Sequence, residues 1–120
     1  MATAGAWDRV TDLVVEMRRH AKVGDAPSVV AFADRLEGRA AMAAGEVESA
    51  LQSLERAATG FETLGVPWER ALTELDLARA ASRAGRSEES SDWAARAAAT
   101  FAHLRDTEGA AAARALLEAG

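Results

Sequence analysis

At 120 residues the chain is long enough for one domain with a modest core and too short for two, and its 49% apolar and 28% charged content is that of a soluble globular protein. A net charge of −5 argues against nucleic acid as the direct partner, because phosphate neutralisation needs clustered positive charge. The absence of cysteine excludes disulfides and thiolate metal sites, and no apolar run approaches the roughly 20 residues that span a bilayer.

The first predicted element is a helix over Trp7–Val23, with Trp7, Val10, Leu13, Val14, Met17 and Ala21 at helical spacing. Gly24 and Asp25 break it, Pro27 sits in a first turn, and Ser28–Ala44 forms the second helix. Gly45 separates this from a third helix, Glu46–Leu64, whose apolar residues Ala50, Leu51, Leu54, Ala57, Ala58, Phe61 and Leu64 share one face. Gly65 ends it and Pro67 opens the fourth, which runs to Ala84 with Leu72, Leu75, Ala78 and Ala81 or Ser82 on a common face. Ser87, a candidate cap, opens a fifth helix reaching His103 or Leu104. Asp106 or Thr107 opens the last, to about Ala119, with Ala111, Ala115, Leu116 and Ala119 as candidates for its buried side. Six helices and no strand-like alternation predict an all-α fold, in which much of the apolar share is alanine and the helices pack closely.

These elements repeat. Sliding the sequence by forty residues superposes Pro27–Leu64 on Pro67–Leu104, and 13 of the 38 positions are identical. Composition alone would give roughly four or five. The matches include Pro27/Pro67, Gly45/Gly85, Ala57/Ala97, Ala58/Ala98, Phe61/Phe101 and Leu64/Leu104. The chain divides accordingly into a leading half-unit (7–23), two full units (27–64 and 67–104) and a trailing capping helix (106–119).

Within each unit a small residue, Gly38 or Ala78, is followed seven residues later by a glycine and then by small or apolar residues five, nine and twelve beyond it: Ala50, Leu54 and Ala57, or Ser90, Ala94 and Ala97. The pattern resembles the tetratricopeptide repeat, although the period is forty rather than thirty-four and Ser90 stands where alanine is usual. The longer period and the Phe-x-x-Leu-Gly-x-Pro ending of the first unit resemble the C-terminal helical-repeat regions of large bacterial regulators, such as LuxR-type ATP-dependent activators and cyclase-like signalling proteins. The resemblance implies a short right-handed α-solenoid of antiparallel helix pairs. It also implies that the first helix of each unit lines a concave groove, which places Phe32, Arg35, Arg39 and Met42 of one unit beside Leu72, Leu75, Arg79 and Arg83 of the next. Arginine favours planar, bidentate contact with carboxylates, so an acidic peptide or a C-terminal carboxylate is the ligand class for such a groove. In the opposing reading, Asp34, Glu37, Glu74 and Asp76 pair with these arginines on a wet surface.

Nothing in the chain assembles a catalytic or cofactor site. His20 and His103 lack a second ligand at metal spacing, and Asp8, Asp12 and Glu16, with Arg9 and Arg19 nearby, read as a solvated charged face. Trp7 and Trp68 read as first-turn staples, while Trp93 in place of Ser53, beside Ala94 in place of Leu54, reads as a volume exchange in the core. Met1–Ala6 lacks the charged and apolar regions of a signal peptide, which predicts a cytoplasmic location. The expected function is a non-catalytic protein-interaction module, with a structural or signal-sensing segment of a larger transcriptional regulator as the alternative. Two full units flanked by half-units leave apolar faces uncovered, which predicts a homodimer or incorporation into a larger chain.

Overall fold

A computed structural model of the chain describes residues 10–19 and 27–119. Residues 10–19 are helical (α1) and are followed by α2 (Pro27–Ala43), α3 (Val47–Leu64), α4 (Pro67–Arg83), α5 (Ser87–His103) and α6 (Thr107–Ala119). There is no strand among the described residues, so the fold is all-α. Trp7, His20, Ala21, Lys22, Gly24 and Asp25 lie outside them.

Two or three residues join successive helices from α2 onward, and the turns are built alike. Gly45, Gly65 and Gly85 adopt φ of +81°, +70° and +76°, and Arg105 adopts +60° at the fourth turn. Each left-handed residue lets the next residue's N–H fold back onto a carbonyl in the last turn of the helix: Glu46 to Ala41 (2.8 Å), Val66 to Phe61 (3.2 Å), Arg86 to Ala81 (2.9 Å) and Asp106 to Phe101 (2.8 Å). The four turns fall at residues 45, 65, 85 and 105, one every twenty residues, half the forty-residue repeat. Helix starts are less uniform. Glu46, Val66 and Arg86 precede their helices without a side-chain cap, whereas the Asp106 carboxylate accepts from the Gly109 N–H at 3.0 Å. Ser87 is therefore the first helical residue of α5 and not its cap.

Each helix from α2 to α6 packs on its chain neighbour, and α2–α4 and α4–α6 also touch. Among the described residues, thirteen of the twenty buried apolar ones are alanine, which allows close helix approach and leaves little room for error. The extreme point is Gly38 of α2, where an added Cβ would lie 2.6 Å from Leu54 Cγ on α3. Gly109 of α6 plays the same part, with Phe101 within 2.5 Å of where a Cβ would be. Three clusters fill the interior. Ala31, Ala57 and Phe61 join α2 to α3; Leu51, Leu54, Ala58, Leu77, Ala80 and Ala81 join α3 to α4; Ala71, Leu75, Ala97, Phe101, Ala110 and Ala113 join α4, α5 and α6. Phe61 and Phe101 are both fully buried at equivalent points of the repeat.

Two expected faces differ. On α6 the buried residues are Ala110 and Ala113, with Leu116 packed beside them, while Ala111 and Ala115 are exposed. The Phe101 ring sits on the Gly109–Ala110–Ala113 side, so close to Gly109 that a Cβ there would meet it at 2.5 Å. On α1, Val14 is buried but Leu13 is 50% and Val15 54% exposed. Trp68 also turns outward: its indole N–H donates to Asp106 at 2.9 Å and half the side chain stays in solvent. Trp93 packs partly buried against the α3–α4 cluster, beside the fully buried Ala94.

Candidate functional site

The contact between α2 and α4 gathers most of the arginines singled out in the sequence. Asp76, Arg79 and Arg83 follow Leu72 on one face of α4 at spacings of four, three and four, and Arg39 reaches across from α2. The Arg39 Nε–H donates to Asp76 Oδ2 at 2.8 Å, and Arg79 Nη1 lies 3.8 Å from Asp76 Oδ1. Arg83 Nη1 donates to the Met42 carbonyl at 3.4 Å. Two guanidinium groups, those of Arg39 and Arg79, therefore share a single carboxylate, with Arg83 on the same face held to a backbone carbonyl, which leaves a local excess of positive charge. Asp76 is largely buried beneath them, whereas Arg39 and Arg79 remain substantially exposed and Arg83 is open to solvent.

Arg35, one turn before Arg39 on α2, is placed differently. It is only 9% exposed, its guanidinium lies over the rings of Phe32 (5.0 Å) and Phe61 (5.1 Å), and Nη1 donates to Glu69 of α4 at 2.5 Å. The two rings meet edge to face at 5.0 Å. Arg35 is thus a clamp between α2, α3 and α4, held by cation–π attraction and a partly buried ion pair. Leu75 belongs to the core against Phe101 and is no groove anchor, because its position on α4 faces α5 and α6. Phe32, Met42 and Leu72 are half-buried at the edges of the three clusters. Of the eight residues expected to line a groove, Arg39, Arg79 and Arg83 share a charged surface, Met42 adjoins it, and Arg35 and Leu75 are buried in packing.

The carboxylates sort differently from the sequence expectation as well. Asp34 and Glu37 serve Arg18 of α1, at 2.6 Å in the case of Asp34, and Arg56 of α3 lies 3.6 Å from Asp34. Glu74 faces Arg70 on its own helix at 3.7 Å. Glu69, the partner of Arg35, went unseen in the sequence because the pair is 34 residues apart and follows no helical spacing. Asp76 alone among the four serves the expected arginines.

Among the described residues no group of histidine and carboxylate side chains could hold a metal ion, and no helix is long and apolar enough to cross a membrane. No protein-family model, curated protein or solved structure matches the chain.

Proposed function

We propose that the chain is a non-catalytic protein-interaction module of tetratricopeptide-like helix pairs stacked as a short right-handed solenoid of antiparallel helices, and that the α2–α4 face takes an acidic segment of a partner protein. The observation that carries this reading is that Arg39 and Arg79 share one carboxylate, Asp76, while Arg83 on the same face has only a backbone carbonyl as partner. A partner carboxylate entering there completes the unpaired guanidinium edges with charge-assisted, bidentate hydrogen bonds. Support for the repeat architecture comes from the four similar left-handed turns, the equivalent burial of Phe61 and Phe101, the close approach at Gly38 and the full burial of its counterpart Ala78, whose carbonyl accepts from the Ser90 hydroxyl at 2.8 Å.

The test is fluorescence anisotropy with labelled peptides rich in aspartate and glutamate against scrambled neutral ones. Binding is expected to be selective for the acidic peptides, stronger at low salt, and weakened in the Arg39→Ala/Arg79→Ala double variant. Equal affinity for neutral and acidic peptides, or an unaffected double variant, would remove the α2–α4 face from the account.

A second reading is carried by α1. Leu13 and Val15 are half exposed on the one helix that leads the array, as expected of a structural or oligomerisation segment belonging to a larger regulator. A sedimentation-equilibrium series in the micromolar range separates the two, since this reading requires a mass above the 12.6 kDa monomer.

A further inference from the structure

Helix α4 carries a second set of charges on its other side. With about 100° between successive residues of a helix, Arg70 and Glu74 lie nearly opposite Asp76, Arg79 and Arg83. They form the floor of an open cleft of about 630 Å³ whose walls are α3 and α5. The α3 wall presents Glu55 and Glu62, and the α5 wall presents Trp93 and Arg96.

Three features mark this cleft as built for a ligand. First, Glu74 is a carboxyl group whose side chain is only 6% exposed. Its Oε1 and the Nε–H of Arg70 are buried without a hydrogen-bond partner, the 3.7 Å between them being an ion pair and no hydrogen bond. Buried polar atoms are nearly always satisfied, and those that are not mark places where something else supplies the partner. Second, the two walls carry opposite charge that does not neutralise itself: Glu55 and Glu62 form no ion pair with Arg70 or Arg96. Third, the Arg96 guanidinium carbon lies over the Trp93 ring, 5.1 Å from its centre. The cation–π contact holds the guanidinium over the ring without using its N–H groups, which suits a carboxylate ligand. The cleft is in the size range of small-molecule sites. It is polar, and Arg70, Arg96 and Glu62 all lie near enough to act on the charge of Glu74.

An acidic wall facing a basic wall, with a carboxyl–guanidinium floor left short of partners, is complementary to a molecule carrying both charges. We propose that this cleft binds a small zwitterion of the α-amino-acid type, its carboxylate on Arg96 and Arg70 and its ammonium on Glu62 and Glu74. The site is distinct from the α2–α4 face and would make the module responsive to a metabolite as well as to a protein.

The probe set is each standard α-amino acid in turn, then the N-acetyl and carboxamide derivatives of any that binds. Binding is read by calorimetry on the full chain, and by Trp93 emission in a Trp7→Phe/Trp68→Phe variant. At least one amino acid is expected to bind saturably by millimolar concentration, and blocking either charged end is expected to weaken it about tenfold or more. Arg96→Gln and Glu62→Gln are exposed-site changes that should preserve the melting temperature and weaken binding to the same extent, while Arg39→Ala/Arg79→Ala leaves it unchanged. The proposal is overturned if no amino acid binds, if an N-acetyl or carboxamide derivative binds as well as its parent, or if the Arg96 and Glu62 variants bind as the parent chain does.

Discussion

Arg105 holds a left-handed conformation at the turn where the three earlier turns have glycine. A side chain there costs free energy that glycine avoids, whereas the hydrogen bonds of the turn come from the backbone and survive replacement. Arg105→Gly should therefore stabilise the chain by roughly 0.5–1 kcal/mol despite the extra freedom glycine gives the unfolded state. A lower melting temperature in this variant would show that the arginine side chain contributes more than its strained backbone costs. Glu74 offers a second test at the same scale. Burial pushes its carboxyl group up, and this outweighs Arg70 and Arg96, which act downward, while Glu62 adds to the rise. Between the ordinary carboxyl value of 4.5 and the raised native one, the folded chain binds more protons than the unfolded chain, so this residue makes stability fall as pH rises through that window. Glu74→Gln removes the titration, and its melting temperature relative to the parent should climb as pH rises above the ordinary carboxyl value of 4.5. A constant difference would mean that Glu74 keeps an ordinary affinity for its proton.

The helices were legible in the sequence because their signals are local. Pro67 opens α4, Gly45, Gly65 and Gly85 close the turns after α2, α3 and α4, and Phe61 and Phe101 recur at the forty-residue spacing inside the core. What was not legible depends on contacts between helices. The rotation of α6 follows from where Phe101 needs space, the role of Arg35 follows from two aromatic rings and Glu69, and the left-handed backbone of Arg105 is hidden because no glycine marks it, although the turn itself was legible between the fifth and sixth helices. The charged surface was half visible: the repeat resemblance puts Arg39, Arg79 and Arg83 on one side, but the burial of Leu75 and Arg35 depends on how α4 and α2 are turned. Two substitutions test the packing of the elements. Gly38→Ala drives a methyl group into Leu54 and should destabilise by about 1–3 kcal/mol, an overpacking cost. Phe61→Ala empties the α2–α3 contact and strips one ring from Arg35, and should destabilise by about 3–5 kcal/mol. Denaturation midpoints within error of the parent for either variant would show that α2 and α3 do not pack as described.

At the scale of the whole molecule, the chain spends its apolar residues on helix-to-helix contact and its arginines on the seams between helices. Arg18 joins α1 to α2, Arg35 and Arg39 join α2 to α4, Arg70 donates to Thr100 to join α4 to α5, and Arg86 pairs with Glu48 near the starts of α5 and α3. Most of these seams match one cation to one or two carboxylates. The α2–α4 seam does not, and the surplus of guanidinium groups over Asp76 is the basis for reading the chain as a module that receives an acidic partner. The most direct test is therefore to change the carboxylate and leave the arginines in place. If Asp76 competes with an incoming acidic peptide, Asp76→Asn frees Arg39 and Arg79 and should tighten binding by roughly tenfold, opposite in sign to the loss in Arg39→Ala/Arg79→Ala. An Asp76→Asn chain that keeps its fold and binds the acidic peptide no better than the parent, or not at all, would contradict the account.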